Sequence, residues 1–76
     1  MEKGLHLKLL GARIREIREG LNMTQDQMAH NADFARSYYS GVERGVRNIS
    51  AANLIRLAKS MNVEVGDLFP KIDDLE

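Results

Sequence analysis

The sequence predicts an all-α protein, a compact bundle of four to five short helices. Apolar residues recur at intervals of three and four along most of the chain, and no segment shows the alternation that indicates a strand. Asparagine, glycine and proline stand where this periodicity breaks off, as they do where helices end. With 76 residues, the chain is expected to form one domain, with its core over about residues 5–72 and a short acidic tail over residues 73–76.

The first helix is predicted from about Leu5 to Gly20. Its apolar residues are spaced to share one face, namely Leu7, Leu10, Ile14, Ile17 and Leu21. Asn22 suits the left-handed conformation of the residue that follows such a helix. This helix is therefore expected to bury one stripe and to leave its charged side in solvent.

The second and third helices are predicted as a closely joined pair over residues 24–44. Thr24 and Gln27 have the spacing of a capping box, which opens a helix that runs to about Asn31. The third helix covers Arg36 to Arg44, so only about four residues join the two helices. Such a short connection predicts two helices that lie at an angle and in contact with each other.

Two further elements complete the predicted fold. Ser50 can cap a fourth helix, whose buried stripe comprises Leu54, Leu57, Ala58 and Met61. Asn62 stands where the chain must turn, and Val65 to Phe69 can form one more short turn of helix before Pro70. In the third helix, Tyr39 and Val42 are assigned to the core, Tyr38 is expected to be exposed, and Gly45 ends the helix.

The charges cancel over the whole chain but are unevenly distributed. Eleven basic residues balance eleven acidic ones, which gives no net charge at pH 7. Residues 36–59 carry five basic side chains and one acidic, whereas residues 60–76 carry one basic and five acidic. This asymmetry can leave one face of the protein attractive to phosphate although the total is neutral.

Several classes of protein receive no support from the composition. There is no cysteine, so a disulfide framework and a thiolate metal site are excluded. No apolar run approaches the ~20 residues of a membrane span, and charges interrupt the first twenty residues too often for a signal peptide. His6 and His30 lie on different predicted helices without a third ligand. We therefore expect a soluble cytoplasmic protein that is not an enzyme and has no cofactor, metal or small-molecule ligand.

From Leu10 to Phe69 the chain resembles the helix-turn-helix proteins of the phage Cro and repressor type, the XRE family. The segments that carry the resemblance are "RIREIREGLNMTQDQMA", "RSYYSGVERGVRN" and "LIRLAKSMNVEVGDLF". It implies a lambda-repressor-like DNA-binding domain with its helix-turn-helix at residues 24–44. The short chain and the second segment are also similar to the controller proteins of restriction-modification systems, which are small dimers that regulate their own operons.

This resemblance implies a recognition helix that begins at Arg36. The residues implied to face base edges in the major groove are Arg36, Ser37 and Ser40. Arg36 is the candidate for a bidentate contact with guanine O6 and N7, because its planar fork of donors fits those two acceptors. A second group is implied to hold the phosphate backbone, namely Gln25, Tyr38, Arg44, Arg47 and Asn48.

Two positions depart from the family pattern. Ala35 stands where relatives often have a capping side chain, and Asp33 is the residue that could partly substitute for it. Gly41 occupies a position where many relatives carry a long base-reading side chain. Readout is therefore expected to depend more on Arg36, Ser37 and the shape of the DNA, while Gly41 allows close approach of the backbone or a thymine methyl group.

Other residues are assigned to the structure and the assembly. The resemblance implies a partly buried salt bridge between Arg18 and Glu43. After the fourth helix the chain still offers more apolar side chains than a small core readily absorbs. A homodimer interface is therefore expected to include Val65, Leu68, Phe69 and Ile72.

Three functions remain open at the level of sequence. The first is a homodimeric transcriptional regulator that binds palindromic operator DNA and blocks or recruits RNA polymerase. The second is an antitoxin-type protein that binds a protein partner, for which an extra tail or domain is the usual sign. The third is a helical interaction module without DNA binding, which the neutral net charge favours and the basic segment 36–59 opposes.

Overall fold

A computed structural model of the protein describes residues 3–71. Over this range the chain is all-α, as predicted, and contains no strand. Its elements are α1 (Lys3–Gly20), α2 (Gln25–Ala32), α3 (Arg36–Arg44), α4 (Ala51–Met61) and a 3₁₀ turn (Val65–Leu68). The bounds of α3 agree with the prediction, whereas α1 begins two residues earlier than expected.

Local sequence signals set the ends of the helices. Thr24 and Gln27 form the predicted capping box at the start of α2, and the Ser50 hydroxyl accepts a hydrogen bond from the Asn53 amide at the start of α4. Gly45 ends α3 with φ of 76°. The turns after α1, α2 and α4 instead use left-handed residues other than glycine, namely Asn22, Asp33 and Asn62.

No side chain caps the start of α3. Ala35 makes no side-chain hydrogen bond there, as expected for alanine. Asp33, the predicted substitute, instead ends α2 in the left-handed conformation, with its amide bonded to carbonyls of that helix. The proposal that Asp33 caps α3 is therefore wrong, since the residue is committed to the preceding helix.

One hydrophobic core joins all five elements. Its most deeply buried side chains include Ile14 of α1, Tyr39 of α3 and Leu57 of α4. Leu21 was expected to extend the apolar stripe of α1, but 43% of it is exposed. The helix has already ended at Gly20, so Leu21 lies in the following turn and no longer follows the helical face.

Leu68 also belongs to this core. The 3₁₀ turn contacts both α1 and α4, and the Leu68 side chain between them is fully buried. The assignment of Leu68 to a dimer interface is therefore wrong, because the side chain is already used inside one subunit. Of the other residues predicted for that interface, Val65 is half-buried and Phe69 is 46% exposed, while Ile72 and the acidic tail lie outside the described residues.

The backbones of α1 and α3 touch at Gly11. A Cβ on this residue would overlap the main-chain carbonyl oxygens of Val42 and Glu43, which cannot move without displacing α3. Gly11 therefore permits a close crossing of the two helices that any larger residue would prevent. This crossing determines the distance between α1 and α3.

A buried ion pair lies on the same side of α3. The Arg18 guanidinium donates to both carboxylate oxygens of Glu43, with N to O distances of 2.7 and 3.0 Å, and also to the Met23 carbonyl oxygen. The Arg18–Glu43 bridge expected from the sequence is therefore present, and its Glu43 side chain is 2% exposed. Of the buried side-chain polar atoms within the described range, only the Tyr39 hydroxyl lacks a hydrogen-bond partner.

The ion pair changes the acidity of its members. Burial alone raises the pKa of the Glu43 carboxyl, but hydrogen bonds and charge from Arg18, with the Gln25 amide, outweigh burial and leave that pKa below its ordinary value. The hydrogen bond to Glu43 likewise raises the pKa of Arg18. Burial is the main cause that raises the pKa of Tyr39. Glu43 is therefore ionised wherever the protein is folded near neutral pH.

Replacing Gly11 by alanine is expected to lower the free energy of unfolding by about 1–3 kcal/mol, because the new methyl group forces the backbones of α1 and α3 apart. Gly20 provides a matched control within the same helix, since a Cβ there meets nothing within 4 Å. Gly20→Ala should be neutral or slightly stabilising. Urea unfolding measures both, and equal effects of the two substitutions would contradict a close crossing at Gly11.

The Glu43 carboxyl should contribute to acid unfolding. Its pKa is depressed in the folded state, so the stability it adds is complete above the ordinary value of 4.5 and is lost as pH falls towards the folded pKa. Glu43→Gln should be less stable near pH 7 by about 3 kcal/mol, yet lose less further stability on acidification. Urea unfolding at several pH values tests this, with Glu19→Gln from the exposed Arg15–Glu19 pair as the control. A Glu43→Gln profile parallel to that of the wild type would contradict it.

Candidate nucleic-acid interface

The outer face of α3 carries four polar side chains. Arg36, Ser40 and Arg44 are four residues apart and form a row along the helix, with Ser37 beside the row. Arg36, Ser37 and Arg44 are exposed and Ser40 is half-buried. Arg44 was predicted to hold phosphate rather than to face bases, although its i, i+4 spacing from Ser40 already indicated that it shares the face of the base-facing residues.

Arg36 is held by the first turn of α2. Its guanidinium lies 3.2 Å from the Asp26 carboxylate and donates, also at 3.2 Å, to the side-chain oxygen of Gln25. The Arg36 side chain nevertheless remains 58% exposed. Asp26 was not identified from the sequence, because nothing in the spacing of residues 24–44 shows which side chains meet across the turn.

Gln25 connects the surface to the buried ion pair. Its amide nitrogen donates to the Glu43 carboxylate at 2.9 Å, while its amide oxygen accepts from Arg36. These two contacts require opposite ends of the same amide group, so they fix its orientation. The ends of α2 and α3 that bear Gln25 and Arg36 are therefore tied to the core through Glu43.

Tyr38 is half-buried, although the sequence predicted it to be exposed. Its hydroxyl accepts a hydrogen bond from the Asn53 side chain at 3.2 Å, and its ring lies edge-on to Phe34 with centroids 5.4 Å apart. Asn53 belongs to α4, so this hydrogen bond joins Tyr38 to that helix. The guanidinium of Arg47 lies over the Tyr38 ring, with its central carbon 5.5 Å from the ring centroid.

Gly41 does not present an open backbone to solvent. The residue is buried, and the aliphatic part of the Arg47 side chain lies over it. The close approach of a ligand expected at Gly41 is therefore wrong, because a side chain of the same protein already occupies that space. The chain that follows α3 folds back across the helix. The spacing of apolar residues within α3 gives no information about this arrangement.

The remaining predicted phosphate-binding residues lie after α3. Arg47 and Asn48 are both exposed. The Asn48 side-chain oxygen accepts a hydrogen bond from the Ile49 amide at 2.9 Å, which leaves its NH₂ group to donate elsewhere. Of the residues predicted to contact DNA, the outer face of α3 therefore brings together Arg36, Ser37, Ser40 and Arg44. Gln25 joins them from α2 through its contact with Arg36, and Arg47 lies across the helix at Gly41.

Other kinds of site find no support in the described part of the chain. Within residues 3–71, no group of three or more His, Asp or Glu side chains is arranged to hold a metal ion. None of the helices in this range combines the length and apolar character that a membrane span requires. His6 and His30 are each exposed and lie on different helices.

Comparison with known proteins agrees with this geometry. The helix-turn-helix family profile matches residues 14–68. The control protein C.BamHI of Bacillus amyloliquefaciens is 39% identical over 61 residues, which are 79% of this chain and 75% of that protein. The restriction-modification controller protein C.AhdI of Aeromonas hydrophila has a similar crystal structure, with 40% identity and a TM-score of 0.81, over 83% of this chain and 96% of that one.

A third relative has been solved with DNA. The restriction-modification controller protein C.Esp1396I, as a tetramer in complex with its natural 35-base-pair operator, aligns with a TM-score of 0.76 and 28% identity. The alignment covers 90% of this chain and 87% of that one. From the profile match and these relatives, the chain belongs to the XRE-type helix-turn-helix family that includes the restriction-modification control proteins.

Proposed function

We propose that the protein is a transcriptional regulator that binds palindromic operator DNA as a homodimer, with α3 in the major groove. The observation that carries this proposal is the exposed row Arg36, Ser40 and Arg44, with Ser37 beside it, on a helix whose opposite side is buried. An α-helix fits the major groove of B-DNA, and donors near its N-terminal end reach base edges there. The similarity to operator-binding control proteins supports the same function.

The residues of the interface divide into two roles. Arg36 reads guanine through O6 and N7, with Ser37 and Ser40 on neighbouring base edges. Arg44, Arg47 and Asn48 donate to phosphates, which positions the helix without reading sequence. Gln25 and Tyr38 complete the backbone contacts, since the Tyr38 hydroxyl accepts from Asn53 but keeps its own proton to donate.

A dimer provides the second half of the site. Two copies related by a twofold axis place their α3 helices about 34 Å apart, one turn of DNA, on a palindromic sequence. Val65 and Phe69, in the acidic segment 60–76, are the described residues proposed to form the interface. At the operator the dimer blocks or recruits RNA polymerase in the cytoplasm.

Arg36→Ala should weaken binding to the preferred duplex by about 1–3 kcal/mol and remove the base preference at one position in each half-site, because a bidentate contact is lost. Arg47→Ala should instead weaken all duplexes alike and lower the slope of affinity against salt by about 1. Binding titrations on duplexes selected from a random pool measure both effects.

Arg15→Ala provides the control for this experiment, since Arg15 is exposed on α1 and pairs with Glu19. It removes the same charge without touching α3. An equal loss on every sequence for Arg36→Ala would contradict its role in reading bases. If the wild-type protein selects no duplex and shows no salt-dependent affinity, the proposed function fails.

Phe69→Asp should convert the dimer to monomers, because it buries a charge in the proposed apolar interface. Ile55→Asp is a matched control, as Ile55 is 51% exposed on α4 and Phe69 is 46% exposed. Sedimentation velocity distinguishes the two species. A dimer that survives Phe69→Asp but dissociates with Ile55→Asp would move the interface to α4.

A further inference from the structure

Gly41 and Arg47 are joined by the backbone as well as by contact. The Gly41 carbonyl oxygen accepts hydrogen bonds from the amides of Val46 and Arg47, at 3.0 and 3.2 Å. These bonds fold the chain that leaves α3 back along the helix. The start of the Arg47 side chain is thereby brought directly over the Gly41 Cα.

The side chain of Arg47 then crosses α3 in contact with Gly41. A Cβ on Gly41 would overlap the Arg47 Cγ and lie 3.3 Å from the Arg47 Cβ. These are the atoms nearest the Arg47 backbone, so the side chain cannot avoid a methyl group by moving its far end alone. The absence of a side chain at position 41 is therefore what leaves room for Arg47.

The far end of Arg47 is also fixed. Its guanidinium lies over the Tyr38 ring, at a distance where a cation and an aromatic face attract each other. Tyr38 is itself held, by the hydrogen bond from Asn53 and the edge contact with Phe34. Arg47 is thus constrained at its amide, along its aliphatic stem and at its charged end.

We propose that Gly41 is a positioning residue for DNA binding, which acts by letting Arg47 lie across α3 with its guanidinium over Tyr38. Through this contact, an arginine from outside the helix contributes a fixed positive charge to the flank of α3. The inference rests on the proposed function, because it assigns Gly41 a role in the same interface. It also explains why a helix that contacts DNA has glycine at its centre, where alanine is the better helix former.

Gly41→Ala should displace Arg47 and lower affinity for the selected duplex roughly two- to tenfold, the cost of ordering one long side chain on binding. Base preference should not change, since Arg47 contacts phosphate. In an Arg47→Ala background the same substitution should change affinity less than about twofold, because the displaced side chain is already gone. Gly20→Ala, which adds a methyl group in open space on α1, is the control and should leave affinity unchanged.

Thermal unfolding gives a readout that does not involve DNA. Gly41→Ala should lower the unfolding midpoint of the wild type and lower it much less in the Arg47→Ala background, where the overlap with Cγ is gone and only the 3.3 Å contact with the remaining Cβ opposes the gain in helix propensity. A midpoint that falls equally in both backgrounds would show that the methyl group clashes with something other than Arg47, and would overturn the inference.

The binding data separate the two proposals. If the wild type binds no duplex, the proposed function fails and this inference with it. If the wild type binds and Gly41→Ala causes the same loss with and without Arg47, the function stands and the role of Gly41 as a positioning residue is overturned. A loss of affinity confined to the protein that contains Arg47, together with a smaller fall of the unfolding midpoint in the Arg47→Ala background, supports both.

Discussion

The carboxylate of Glu43 joins three helices at one point. It belongs to α3, receives two hydrogen bonds from Arg18 of α1 and receives a third from Gln25 of α2. A charge buried in this way is costly unless its partners stay in place: rotation of α1 or α3 would leave it unpaired, and rotation of α2 would remove its third hydrogen bond. The backbones of α1 and α3 also meet at Gly11, which leaves α3 little freedom to slide along α1. The orientation of the proposed interface is therefore fixed from inside the protein.

The nine residues of α3 serve two surfaces at once. Tyr39, Val42 and Glu43 face the core, while the row from Arg36 through Ser40 to Arg44 faces outward. A helix this short is unstable alone, so tertiary contacts must supply most of its stability. The neutral net charge of the chain is compatible with a nucleic-acid partner because the charges are unevenly distributed: residues 36–59 carry five basic side chains and one acidic, and Arg36 and Arg44 of this segment are exposed on α3.

The helices and their ends could be predicted because local chemistry sets them. Thr24, Ser50 and Gly45 act within a few residues of themselves, and each does what its type predicts. The predictions that were wrong concern places where segments distant in sequence pack together. The burial of Leu68 depends on a turn that folds between α1 and α4, and the cover over Gly41 depends on the chain that leaves α3. Periodicity describes one face of one helix and carries no information about what packs against it.

The contact between Arg36 and Asp26 has a consequence for discrimination between sequences. In the proposed complex, guanine must replace a carboxylate that already lies 3.2 Å from the guanidinium in the free protein. A base that offers fewer acceptors leaves Arg36 with its internal partner. In the proposed complex, Asp26 therefore competes with the base for the Arg36 guanidinium, as water does. In that complex selectivity is a difference between the hydrogen bonds that a base offers Arg36 and the ion pair with Asp26, so it depends on α2 as well as on α3.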